Sequence, residues 1–166
     1  MDDLDLSSFD FSSCTNLNSF ILGVSVRCKD IKLPNNITTG VLSGANSDYA
    51  FGNVYSVQEL DLTGVNFSSI TSPKYVCRYN YSMEKVILPD SLHYIADYFF
   101  GDCRNLKTIV MPSTTLVTLT TTNAFTNATR NKTIYVPDNL VSSYRTANNW
   151  KSLTNVTFAG LSTYNS

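Results

Sequence analysis

Ile95-Ala-Asp-Tyr-Phe-Phe-Gly-Asp-Cys-Arg-Asn-Leu-Lys-Thr-Ile-Val-Met-Pro112 is the stretch from which the fold can be read. Within it, Leu106, Ile109 and Met111 are apolar at steps of three and two, Phe100 stands six residues before Leu106, and Pro112 follows directly. The same phrase returns at Leu17/Phe20/Leu22, Cys28/Ile31/Leu33, Val57/Leu60/Leu62, Met83/Val86/Leu88, Asn131/Ile134/Val136 and Leu153/Val156/Phe158. With the middle residue as marker, the intervals from 20 through 31, 60, 86, 109, 134 and 156 are 11, 29, 26, 23, 25 and 22. All but the first fall in the range of a stacked-repeat solenoid.

Other positions repeat with the phrase. Six residues before the leucine-type position stand Phe11, Phe51, Cys77, Phe100 and Phe125, and each phenylalanine is followed by Gly, Ser or Thr. Pro34, Pro89, Pro112 and Pro137 follow the last apolar residue, and Ile37, Leu92 and Leu140 stand three residues beyond three of these prolines. Ile-x-Leu has the period of a strand, with two side chains inward and one outward. Proline ends the strand because it lacks the ladder donor. A unit of this length cannot bury its own apolar face, so its core must be shared with its neighbours.

The opening stretch resembles the BspA-type leucine-rich repeat of bacterial and protist surface proteins. Phe11-Ser-Ser-Cys-Thr-Asn-Leu17 and Tyr49-Ala-Phe-Gly52 are similar to it, and Ile134-Tyr-Val-Pro-Asp-Asn-Leu-Val-Ser-Ser-Tyr-Arg-Thr-Ala-Asn-Asn-Trp150 resembles the segment that closes such arrays. The fold expected is a β-rich α/β solenoid, a leucine-rich-repeat superhelix with a parallel sheet on its concave face and a short C-terminal capping helix. Residues 1–10 are expected to be a flexible acidic lead or cap, 11–158 the repeat domain with its C-terminal cap at about 137–158, and 159–166 a tail. The short step from Phe20 to Ile31 predicts a hairpin or an irregular cap there. From Pro137, Leu140, Val141, Tyr144 and Ala147 follow at helical steps, which predicts a helix reaching Trp150, and Trp150 is expected to cover the open end of the last repeat.

The net charge of −1 offers no clustered positive field for nucleic acid. The longest nearly unbroken apolar run, Phe20 to Val26, is far shorter than the roughly 20 residues of a membrane span. Met-Asp-Asp-Leu-Asp-Leu at the start is not a secretory signal. The resemblance implies a cell-surface or extracellular protein, with its signal segment removed from this sequence.

Little in the chain points to chemistry. Cys14, Cys28, Cys77 and Cys103 have no paired spacing, and His93 is the only histidine, so no metal or cofactor is expected and the cysteines read as small buried residues. No Gly-x-Ser-x-Gly elbow or phosphate loop occurs. Glu59 and Asp61 share one strand, but at routine outward positions. Asn36, Asn66, Asn80, Asn127, Asn131 and Asn155 head glycosylation acceptor triplets, which at functional sites would be exposed.

The outward positions carry the functional lead. They are Ile21, Lys32, Asp61, Ile87, Val110, Tyr135 and Thr157, about 4.8 Å apart from repeat to repeat in a parallel ladder. Ile87, Val110 and Tyr135 are expected to form an exposed apolar stripe flanked by Lys85, Thr108 and Thr133, a composition suited to partner binding. The chain therefore reads as a noncatalytic surface module that binds a protein or cell-surface ligand. The alternatives are a structural spacer or assembly piece whose sheet face self-associates and, with least support, a carbohydrate-active enzyme.

Overall fold

The computed structural model describes residues 3–10, 30–33, 51–68 and 70–164. The expectations placed on Phe11, Cys14, Leu17, Phe20, Ile21, Leu22, Cys28, Pro34, Asn36 and Ile37 lie outside them. Seven short strands make one sheet: β1 (Asp3–Asp5), β2 (Asp30–Lys32), β3 (Glu59–Asp61), β4 (Lys85–Ile87), β6 (Thr108–Val110), β8 (Lys132–Val136) and β9 (Val156–Gly160), ordered β1-β2-β3-β4-β6-β8-β9. Every neighbouring pair is parallel. A second parallel pair, β5 (Tyr94–Ile95) and β7 (Thr118–Leu119), lies outside this sheet. With a short C-terminal helix, α1 (Val141–Thr146), this is a repeat α/β fold.

The strands occur where the repeated phrase puts an apolar residue between two outward ones. Leu60, Val86, Ile109, Ile134 and Phe158 are in register across five strands and are buried, as alternation requires. Two register positions differ from the sequence reading. At the front, Leu4 of β1 pairs with Ile31, so residues 3–5 supply a strand at normal repeat spacing. At the back, Ile134 pairs with Phe158, not Val156, and Tyr135 therefore faces Ala159 rather than Thr157.

A second ladder runs along the phenylalanine corner. Phe51, Cys77 and Phe100 donate their N–H groups to Val76, Phe99 and Ala124 of the next repeat at 2.8–2.9 Å. Asn53, Tyr79 and Asp102 do the same to Arg78, Gly101 and Thr126. The turn that makes this possible needs a left-handed residue, and Asn53, Tyr79, Asp102 and Asn127 all have φ of 59–66°. Asn and Asp tolerate that region well, whereas Tyr79 occupies it against its preference. Asn131, at the leucine-type position of its repeat, is exposed, and the adjacent Lys132 turns inward instead. Its ammonium donates to Ala128 O and Arg130 O at 2.8 and 2.6 Å, and burial pushes its pKa down to about 8.

Three residues before the leucine-type position, the side chains clamp one repeat to the previous one. Asn80 is fully buried, donates to Phe51 O at 2.7 Å and accepts from Val54 N–H at 2.8 Å. Cys103, its counterpart, points its thiol at Cys77 O at 3.0 Å. Asn80→Ala would leave a buried donor and a buried acceptor without these partners. It is expected to lower stability by about 2–4 kcal/mol in urea denaturation, against about 1 kcal/mol for Cys103→Ala, whose thiol is a weak donor. Equal midpoints for Asn80→Ala and the parent would refute the clamp.

The C-terminal cap departs from the single helix expected. A 3-10 turn at Asp138–Leu140 leads into α1, Ala147 is extended, Asn149 sits at φ 61°, and a second 3-10 turn spans Trp150–Ser152. The break has a use, because it lets Asn149 and Trp150 join Tyr144 of α1 at the open edge of β7. Tyr144 Oη accepts from Val117 N–H at 2.9 Å, Trp150 Nε1 donates to Val117 O at 2.8 Å, and Asn149 Nδ2 donates to Leu119 O at 2.7 Å. These groups take the place of a neighbouring strand, so the edge presents fewer free backbone groups for association. At the edge of the main sheet, Arg145 donates to Phe158 O at 3.1 Å.

Candidate functional site

The outward side of the main sheet forms two columns. Lys85, Thr108 and Thr133 are in register in one, and Ile87, Val110 and Tyr135 in the other. The six residues singled out from the sequence are thus neighbours on β4, β6 and β8. At the front of the first column Lys85 pairs with Glu59 at 2.7 Å. That hydrogen bond is the main reason the Lys85 pKa lies above its ordinary value, with partial burial acting in the opposite direction.

The stripe is not exposed as expected. Ile87 and Tyr135 are half-buried, and Val110, between them, is only 5% accessible. The chain itself supplies a cover. Beyond β9, a 3-10 turn at Leu161–Thr163 delivers Tyr164 onto this face, with its ring centroid 5.0 Å from that of Tyr135 and 6.0 Å from the Lys85 ammonium. A ring that reaches from β8 to β4 crosses β6, where Val110 stands. The Tyr164 hydroxyl is buried beside Lys85 without direct hydrogen-bond geometry to it.

The turn is held by Asp138, whose carboxylate accepts from the Ser162 hydroxyl and from Ser162 N–H, the latter at 3.2 Å. These bonds hold the Asp138 pKa below the ordinary carboxylate value. Gly160 makes the approach possible, because a Cβ there would collide with the same carboxylate. Thr163 Oγ1 donates to Gly160 O at 2.7 Å and closes the turn.

The remaining candidates occupy structural roles. Asp61 accepts from Thr63 N–H and Thr63 Oγ1 at 2.9 and 2.7 Å, while Glu59 engages Lys85, so this carboxylate pair is committed to local contacts. His93 is exposed and contributes its backbone carbonyl to the β5–β7 pair. Cys77 and Cys103 are fully buried, and burial pushes both thiols up, Cys103 to about 12. Such thiols are poor nucleophiles at neutral pH because the reactive thiolate is suppressed. Among the described acceptor triplets, Asn80 is inaccessible, while Asn66, Asn127 and Asn131 are exposed and Asn155 is half-buried. Among the described residues no group of three or more His, Cys, Asp or Glu could hold a metal ion, and no helix is long and apolar enough to cross a membrane.

One aromatic cluster escaped the sequence reading although its spacing was visible. Tyr55 and Tyr81 stack at 5.5 Å and 15°, as do Tyr75 and Tyr98, each pair separated by one repeat interval. The Arg78 guanidinium lies 4.4 Å from the ring centroids of both Tyr79 and Tyr98. Tyrosines at equivalent repeat positions stack because the repeats do. Tyr164, in contrast, follows no repeat position.

Comparison with known proteins agrees with this geometry. A family model described as BspA type leucine rich repeat region (6 copies) matches residues 71–166, more than half of the chain. No curated protein matches.

Proposed function

The chain belongs to the BspA-type leucine-rich-repeat family, and from that membership we propose that it is a noncatalytic cell-surface binding or adhesion module, a solenoid that engages a protein ligand with the outward side of its sheet. The observation that carries this reading is the in-register ladder of Lys85, Thr108 and Thr133 beside Ile87, Val110 and Tyr135. It combines apolar surface, a tyrosine and a polar rim, as interface centres do. Each apolar side chain fully buried by a partner contributes on the order of 1.5–3 kcal/mol before association costs. Ile87 and Thr133 are half-buried and face outward, so they can be changed without entering the core.

The test is adhesion of the labelled protein to immobilised matrix proteins and to whole cells, combined with protease shaving of the cells that produce it. Ile87→Glu with Thr133→Lys is expected to keep the melting profile and to weaken binding about tenfold or more. Undiminished binding to a ligand that recognises the parent, or protection of the protein from shaving, would overturn the proposal.

The apolar side chains that stay half-buried on this face, Ile87 and Tyr135, support a second reading, in which the face packs within a larger assembly and the chain acts as a spacer. Light scattering separates the two. A concentration-dependent dimer abolished by the same double substitution supports the assembly role, and a monomer at all concentrations opposes it.

A further inference from the structure

The outward face already holds an aromatic ring. Tyr164 reaches it at the end of a single 3-10 turn, contacts Tyr135 at an interplanar angle of 56°, and places its hydroxyl end near the Lys85 ammonium. The contact is chemically specific: a tilted ring pair and a neighbouring cation both favour an aromatic over an aliphatic side chain. The hold on it is slight by comparison with the core. Ser162 and Thr163 are exposed, Leu161 is half-buried, and the turn is tied to the body through hydrogen bonds from Ser162 to an exposed Asp138. Side-chain hydrogen bonds at exposed positions are worth little net, because water replaces them at small cost.

We propose that Lys85, Val110 and Tyr135 form a seat for a tyrosine-type side chain, filled in the free protein by Tyr164 and taken over by an aromatic residue of a bound protein partner. This rests on the reading of the outward face as the interaction surface and adds what that surface recognises and how it is regulated. The partner class follows from the seat's present occupant, since a group that displaces Tyr164 must satisfy the same ring contact, cation and buried valine. Displacement also sets a threshold for binding. If the seat is open about one-tenth of the time, apparent affinity falls about tenfold, and removing the internal ring restores it.

The experiment uses the full chain, uniformly labelled with nitrogen-15, and N-acetyl-tyrosinamide as probe, with N-acetyl-leucinamide as control. Tyr164→Ala is expected to show saturable amide shifts at Lys85, Val110 and Tyr135, with the parent binding the probe at least about tenfold more weakly. Absence of saturable shifts at these residues in Tyr164→Ala, equal affinity in parent and variant, or equal binding of the leucine probe would overturn the proposal. Should Tyr164→Ala fail to fold, Ser162→Ala decides, because it keeps the ring and loosens the turn: stronger probe binding than in the parent supports the seat, and unchanged binding sinks it. A dimer present in the parent and lost in Tyr164→Ala would mean that the ring exchanges between copies, which also refutes a foreign partner. No macromolecular ligand enters these measurements. Their failure is therefore separable from failure of the adhesion test, which probes Ile87 and Thr133.

Discussion

Trp150→Ala is expected to destabilise the protein by roughly 4–6 kcal/mol, a large share of the ~5–15 kcal/mol that ordinary domains possess. Trp150 closes an aromatic column that starts inside the array, with Phe100 and Phe125 at 5.3 Å and Phe125 and Trp150 at 6.1 Å between centroids. It also packs edge-on against Tyr144 at 5.5 Å and Phe158 at 5.7 Å, and it is 1% accessible. Truncating a buried tryptophan costs about 3–5 kcal/mol in lost burial and cavity, and leaving Val117 O without the indole donor adds about 1 kcal/mol. Trp150→Phe keeps much of the ring packing and is expected to cost less than half as much.

Because stacked repeats depend on their neighbours, the loss should spread inward from the cap. Hydrogen exchange is expected to accelerate first at the amides of β7 and β8, before those of β4. Urea denaturation of Trp150→Ala within 1 kcal/mol of the parent would show that the cap contributes nothing essential.

The repeat that organises this column was plain in the sequence: Trp150 stands 25 residues after Phe125, as Phe125 stands 25 after Phe100. The strands β2, β3, β4, β6 and β8 were legible for the same reason, whereas β1 lies in residues 1–10, which were expected to be a flexible acidic lead or cap. What escaped was decided by contacts that carry no period. The last marker was placed on Val156 when Phe158 is the partner of Ile134. A two-residue slip leaves inward and outward faces unchanged, so alternation could not detect it.

The predicted helix failed at Ala147 and Asn149, where the backbone leaves helical geometry to aim Asn149 and Trp150 at β7. Helical spacing of Leu140, Val141, Tyr144 and Ala147 could not register that demand from a strand some 30 residues earlier. The six residues of the outward ladder were found correctly as neighbours, yet the burial of Val110 was not. Tyr164, which packs on the neighbouring Tyr135, stands 54 positions further along the chain than Val110, and no local rule connects it with this face.

The sharpest test of the alternation itself uses two adjacent residues. Ile109→Asp is expected to unfold the chain, whereas Thr108→Asp should alter stability by no more than about 0.5–1 kcal/mol. Ile109 is fully buried and sits between Val86 and Ile134 in the centre of the sheet. The aspartate loses the burial of an isoleucine, worth about 2–5 kcal/mol, and places a carboxyl among apolar side chains without a hydrogen-bond partner, which adds at least about 1–3 kcal/mol even when it is protonated. The sum reaches the whole stability of many domains.

Thr108 is the preceding residue but faces outward, half-buried and in register with Lys85 and Thr133. A carboxylate there keeps access to water and gains the neighbouring ammonium. Circular dichroism and urea denaturation of the two variants therefore separate a one-residue change of face from a general sensitivity of the strand. Comparable losses from both substitutions would contradict a sheet with one buried and one outward side, and with it the surface on which Tyr164 is seated.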